Sequence, residues 1–96
     1  MTLRPNSLSL YQKACHLLPG GVNSPVRSFQ GLDLSPLVVA SGRGSRIEDV
    51  DGHSYIDYCA SWGPLILGHA HPAVVQAAQD QIALGSSFGA MTEVEG

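Results

Sequence analysis

Lysine is almost missing from this sequence: Lys13 is the only one among five basic residues, set against eight acids for a formal net charge of −3. Nucleic-acid affinity comes largely from several Lys and Arg neutralising phosphates, and no basic stripe exists here. DNA and RNA binding are therefore not expected. Charge of either sign is scarce. Only 14% of the 96 residues are charged and 44% are hydrophobic, the reverse of the balance that leaves a chain disordered. Long apolar runs are absent as well, none approaching the ~20 residues that cross a bilayer. Met1 to Ser9 has neither the basic start nor the apolar stretch of a secretory signal. The two cysteines, Cys15 and Cys59, show no CxxC or zinc spacing. A soluble, cytoplasmic chain with both thiols as packing residues is the expectation.

Glycine and proline are plentiful instead, at 11 and 6, which predicts many turns. The length allows one small domain at most, and a chain of this size buries only ~60–65% of its unfolded surface. Leu8, Tyr11, Ala14, Cys15 and Leu18 recur at helical spacing and predict a helix over 7–18. Ser9 with Gln12 fits a capping box, with Ser7 as the alternative cap, and Pro19-Gly20-Gly21 ends the run. Residues 19–36 have no period and read as a long loop, a kind that is usually functional or disordered beyond ~12–15 residues. Three short strands are predicted within 37–60: Leu37 to Ala40, Arg46 to Val50 and Ser54 to Ala60. Asp51-Gly52 between the last two signals a type I′ hairpin, so the strands form an antiparallel sheet. Pro72 is well placed as a first helical residue. Val74, Val75, Ala78 and Ile82 then share one face of a second helix over 72–84, ended by Gly85. The tail through Glu93-Val94-Glu95-Gly96 completes no further element, which reads as a cut. The expected class is α+β.

Few constellations carry chemistry. Arg27 follows a Gly-Gly turn and Pro25 within Asn23-Ser24-Pro25-Val26-Arg27. A guanidinium offers a planar fork for a carboxylate, and Ser24 can add a hydroxyl. A solvated surface arginine is the competing reading. Trp62, the only tryptophan, lies in Ser61-Trp62-Gly63-Pro64 and is either a pocket wall or a core plug. His69-Ala70-His71 lacks a third ligand at suitable spacing, so no metal site is expected, and His71 is better explained as a helix-start residue. Gly42-Arg43-Gly44 lacks the third glycine of a dinucleotide loop and reads as a turn. Asp51 serves the hairpin, while Asp49 and Asp57 read as solvated.

Pro19-Gly-Gly-Val-Asn-Ser-Pro-Val-Arg27 resembles the glutamate-1-semialdehyde 2,1-aminomutases, pyridoxal-phosphate enzymes of the class-III aminotransferase group. The likeness continues through Asp49-Val-Asp-Gly52, Tyr55-Ile-Asp-Tyr58, Ser61-Trp-Gly-Pro64, Ile66-Leu-Gly-His-Ala-His-Pro72 and Ser87-Phe-Gly-Ala90. Gly-His-Ala-His-Pro is shared broadly across the class, whereas the Asn-Ser-Pro-Val-Arg loop with Ser-Trp-Gly-Pro is specific to the aminomutases. Met91 stands where members commonly carry proline, and Gln30 to Glu48 matches loosely.

The resemblance implies the α/β parent fold of type I pyridoxal-phosphate transferases. Of it, this chain would supply the N-terminal segment: helix, substrate loop, small antiparallel sheet, and a helix leading to the large domain. It implies conversion of (S)-4-amino-5-oxopentanoate to 5-aminolevulinate in tetrapyrrole biosynthesis, by a complete enzyme that is a homodimer. It also implies that Ser24 and Arg27 contact the substrate carboxylate and that Trp62 lies beside the substrate. Members are several times longer, and their Schiff-base lysine falls beyond position 96. Lys13 matches no motif, so no catalytic residue is present and the isolated chain is expected to be inactive. A fragment of another class-III aminotransferase and a non-catalytic binding module are the alternatives.

Overall fold

In the computed structural model, which describes residues 3–96, the first helix opens on a proline. Helix α1 spans Pro5–Cys15. Pro5 suits the first turn because its missing N–H would be unpaired there and its φ is already helical. The N-cap, Arg4, offers no side-chain cap. A carboxylate from far along the chain does the capping: Asn6 N donates to Asp51 Oδ1 at 2.7 Å and Ser7 N to Asp51 Oδ2 at 2.9 Å. Two orphan amides are thereby satisfied, and the negative charge sits at the favourable end of the helix dipole. The helix thus starts before 7, and neither Ser9 nor Ser7 is its cap. Ser7 is instead a buried residue whose hydroxyl accepts from Val38 N at 3.4 Å. The helix also stops before Leu18, which is extended (φ −129°, ψ 138°). A residue before proline is pushed out of the helical region by the ring, and Leu18 precedes Pro19.

Strands β1 (Val39–Arg43), β2 (Arg46–Asp49) and β3 (Ser54–Ile56) form an antiparallel sheet in the order β1-β2-β3. Arg43 pairs with Arg46 across Gly44 and Ser45, and Val39 with Asp49 beyond an irregularity in register. Gly42-Arg43-Gly44 is accordingly the end of a strand and its turn. At Asp51-Gly52 the expected I′ geometry is not adopted. Only Gly52 has positive φ, at 85°, and Gly52 N donates to Asp49 O while Asp49 N donates to His53 O. That is a three-residue loop of the kind that pairs a turn with one left-handed glycine. The reason lies in Asp49, whose Oδ1 accepts from Asp51 N and His53 N at 2.9 and 2.8 Å. Its Oδ2 accepts from His53 Nδ1 at 3.1 Å and Tyr55 Oη at 2.8 Å. Asp49 is 1% exposed, so it is not solvated. Strand β3 ends at Ile56 rather than Ala60, because the Asp57 carboxylate turns the chain by accepting from Cys59 N and Ala60 N.

Helix α2 spans Pro72–Leu84 as expected, with His71 as N-cap, its Nδ1 accepting from Ala73 N at 3.3 Å. Val74, Val75 and Ile82 do share a face, but that face is open to solvent. Among the described residues no hydrophobic side chain is buried. The buried ones are Ser7, Asp49, Gly21 and Pro36. The radius of gyration is 16.6 Å, against about 13 Å for a globule of this length. Backbone ladders set the strand register, and aspartate carboxylates, not an apolar core, tie α1 and the turns to the sheet. Cys15 and Cys59 are free and exposed rather than packed away.

Two outcomes follow for the isolated chain. Without a buried apolar core it should melt over a broad range and bind a hydrophobic dye, and a single sharp calorimetric transition would contradict this. The Asp49 network is local in sequence and should survive as turn structure. Burial alone would raise the Asp49 pKa, but the bonds from His53 N, Tyr55 Oη, the His53 ring and Asp51 N outweigh it and hold the carboxyl at about 2, below the model-compound 3.8. A depressed folded-state pKa adds stability that is complete above pH 3.8 and lost as pH falls through about 2. Carboxyl-carbon NMR should show Asp49 titrating well below the ordinary aspartate range, with the turn's amide shifts collapsing over that interval.

Candidate functional site

The loop between α1 and β1 is more ordered than its lack of period suggests. It holds two short 3₁₀ turns, Pro19–Gly21 and Pro25–Ser28, each begun by a proline. The first is seated on α1: Tyr11 Oη donates to Gly20 O at 3.2 Å. A Cβ on Gly21 would lie 2.6 Å from the Tyr11 ring and 2.8 Å from Cys15 Sγ. The chain then runs extended through Val22 and Ser24. In the second turn Arg27 N donates to Ser24 O at 3.0 Å and Ser28 Oγ to Pro25 O at 2.7 Å. Phe29 ends it in the left-handed region (φ 56°). Pro25 fixes φ at the start and the two bonds close the turn, so Arg27 projects from a stiff base. Its side chain is exposed, and among the described residues neither it nor the Ser24 hydroxyl has a hydrogen-bond partner. The structure thus brings Ser24 and Arg27 together on one turn, with the guanidinium free to take an anion.

Trp62 sits elsewhere, in the 3₁₀ turn Ala60–Trp62 after β3. It is 74% exposed, so it plugs no core in this chain. No hydrogen bond among the described residues joins it to Ser24 or Arg27. Its backbone is unusual. Ala60, Ser61 and Trp62 have φ of 49°, 54° and 68°, and Gly63 follows at 105°. For L-residues with a side chain the left-handed region costs roughly 1–2 kcal/mol each, so the segment is strained.

The residues that sequence reasoning undervalued lie just behind this turn. Asp57 is not solvated: its side chain is 11% exposed, and His69 Nε2 donates to its Oδ2 at 2.6 Å. That bond is the largest cause holding the Asp57 carboxyl below the ordinary value, with the Cys59 amide next. His69 is fixed in turn. Gly44 N donates to His69 O at 2.9 Å and His69 N to Gly44 O at 2.8 Å, while a Cβ on Gly42 would stand 2.7 Å from the imidazole. Gly42 is needed so that the ring can lie flat on β1. Asp57, Ala60 and His69 line one side of a cavity of about 360 Å³. The visible signal for Asp57 was its place before a turn, where a carboxylate caps free amides as at a helix start. The partner His69 gave no signal, since the contact spans the whole Ser61–Gly68 segment.

Pyridoxal phosphate, implied by the resemblance, is held in part through a lysine, and Lys13 is the one lysine of this chain. Lys13 lies exposed in the last turn of α1. No helix among the described residues is long and apolar enough to cross a membrane.

Comparison with known proteins agrees with the motifs. The family model for class-III aminotransferases matches residues 30–95. Glutamate-1-semialdehyde 2,1-aminomutase 2 of Brevibacillus brevis is 59% identical over 96% of this chain and 21% of its own length. The aminomutase of Thermodesulfovibrio yellowstonii is 57% identical over 93% of this chain and 21% of its own. Among solved structures, a transaminase with pyridoxal phosphate bound superposes with a TM-score of 0.85 at 39% identity, covering 99% of this chain and 22% of that one. A glutamate-1-semialdehyde aminomutase from Pseudomonas aeruginosa gives 0.82 at 30% identity, covering 95% and 20%. The two helices and three-stranded sheet are thus the arrangement these enzymes carry in the matching segment, and the chain spans about a fifth of the length of the curated relatives it matches. The chain belongs to the class-III aminotransferase family.

Proposed function

We propose that this chain is the N-terminal segment of a glutamate-1-semialdehyde 2,1-aminomutase, an isomerase that converts (S)-4-amino-5-oxopentanoate to 5-aminolevulinate with pyridoxal phosphate. One observation carries the reading: identity of 52–59% over nearly all of the chain to proteins of that name. The geometry supports it. In the complete enzyme Arg27, projecting unpaired from its proline-started turn, takes the substrate carboxylate in a bidentate grip. Ser24 adds a hydroxyl from the same turn. Trp62 supplies a flat apolar face that keeps water from the reacting aldehyde. The cofactor and its lysine are contributed by residues outside this chain, and the group when bound supplies the amine that moves. The homodimer and the cytoplasmic setting belong to the same proposal, the latter supported by the two free thiols.

A transaminase that uses a second amino acid as donor is the other reading, favoured by the 39% identity to a solved transaminase. A hybrid of residues 1–96 with the remainder of the Brevibacillus brevis relative separates the two. Turnover of the semialdehyde without an added amino donor is expected, and a requirement for a donor would favour the transaminase. In that hybrid Arg27→Ala should raise KM and lower kcat/KM on the order of 10- to 100-fold, the worth of a charge-assisted pair of about 1.5–3 kcal/mol. An unchanged KM would remove Arg27 from the site. The 96-residue chain alone, mixed with pyridoxal phosphate, should develop no absorbance of a covalently bound cofactor and no turnover. Either signal would overturn the assignment of the missing lysine.

A further inference from the structure

The turn that carries Trp62 is held in a conformation its own residues disfavour, and a carboxylate at its entrance contributes the hold. Ala60, Ser61 and Trp62 are left-handed in succession, where L-residues normally appear singly. Such backbone persists only where the surroundings over-determine it, and it concentrates at ligand clamps and active sites. Apolar packing does not determine it here, since Trp62 is 74% exposed. A polar clamp does. Asp57 Oδ1 accepts from Cys59 N at 2.8 Å and Ala60 N at 3.2 Å, gripping the entrance of the turn. Asp57 Oδ2 takes His69 Nε2 at 2.6 Å. His69, six residues beyond the turn, is riveted to β1 and its hairpin through Gly42 and Gly44, so it fixes the carboxylate that grips the turn. The entrance of the strained segment is thereby tied through one carboxylate to β1, its exit is closed by Gly63 N donating to Ala60 O at 3.0 Å, and the result is an aromatic ring delivered outward rather than inward.

We propose that Asp57 and His69 are positioning residues for the aminomutase reaction: they clamp the left-handed turn Ala60–Gly63 and so aim Trp62 at the substrate. The inference rests on the reading of Trp62 as a wall of the substrate site. Neither clamp residue touches substrate; both act through Trp62. The Asp57 carboxylate is the shared element, and an asparagine in its place keeps one oxygen for the Cys59 and Ala60 amides.

The hybrid enzyme described above tests this with four variants: Trp62→Ala, Asp57→Ala, Asp57→Asn and the double variant Asp57→Ala/Trp62→Ala. Trp62→Ala should lower kcat/KM at least about tenfold, since a misplacement near ~1 Å can cost ~100-fold. Asp57→Ala should cost a similar factor. The double variant should fall no more than about twofold further, because a clamp has nothing to hold once the indole is gone. Asp57→Asn should recover most of the loss. Absorbance of the bound cofactor should stay unchanged in all four, which separates positioning from plain loss of folded enzyme. Multiplying losses in the double variant, falling cofactor absorbance, or no rescue by asparagine would overturn the clamp while leaving the functional reading intact. Full activity in Trp62→Ala would overturn the reading of Trp62 and the clamp with it.

Discussion

Backbone amides that would otherwise go unpaired find aspartate carboxylates, and the placement of α1 and of the turns around the sheet follows from that. Asp49 gathers two amides, an imidazole and a phenol at the β2–β3 loop. Asp51 reaches back to cap α1. Asp57 grips the turn after β3 and the histidine beyond it. Each carboxylate joins segments by charge-assisted bonds to groups that would cost free energy if left unmade. The three stand within nine positions of one another in sequence, yet they tie together residues from α1 to the approach to α2.

Such polar stitching explains how a chain with no buried hydrophobic side chain among its described residues holds a defined sheet. The apolar surface has not vanished; it faces outward. Ile66, Leu84 and Met91 are 90%, 77% and 94% exposed. For a member of a family whose relatives are about five times longer, outward apolar surface is what a segment offers to the rest of a fold. The fold's own bonds set the geometry of the loops, and packing supplies the stability that the segment lacks by itself.

The two functional loops are built on different physical bases. The Arg27 turn is stiff because prolines start it, a property readable in any alphabet of local propensities. The Trp62 turn is stiff because a distant histidine and a strand-end aspartate hold it against its own preference. Under the proposed function, a cationic fork on one and an aromatic face on the other serve a small molecule with an acid end and a reactive carbonyl end.

The helix over Pro72–Leu84, the turn at Gly44, the antiparallel strand order and the free guanidinium on a proline-pinned loop were all legible from spacing and turn residues, because local propensity and periodicity decide them. The start of α1, the shape of the Asp51-Gly52 loop, the burial of Asp49 and the Asp57–His69 contact were not. The start of α1 and the Asp57–His69 contact are set by bonds between residues that no pattern links, Asp51 to the amides of Asn6 and Ser7 and Asp57 to a ring past the next turn, while the loop follows from Asp49 taking amides and side chains two to six residues on. Sequence alone determined which elements exist and which side chains can bind an acid. Tertiary structure decided where the elements begin and which way Trp62 faces, because a carboxylate chooses its donors by proximity in space, and proximity is a property of the folded chain.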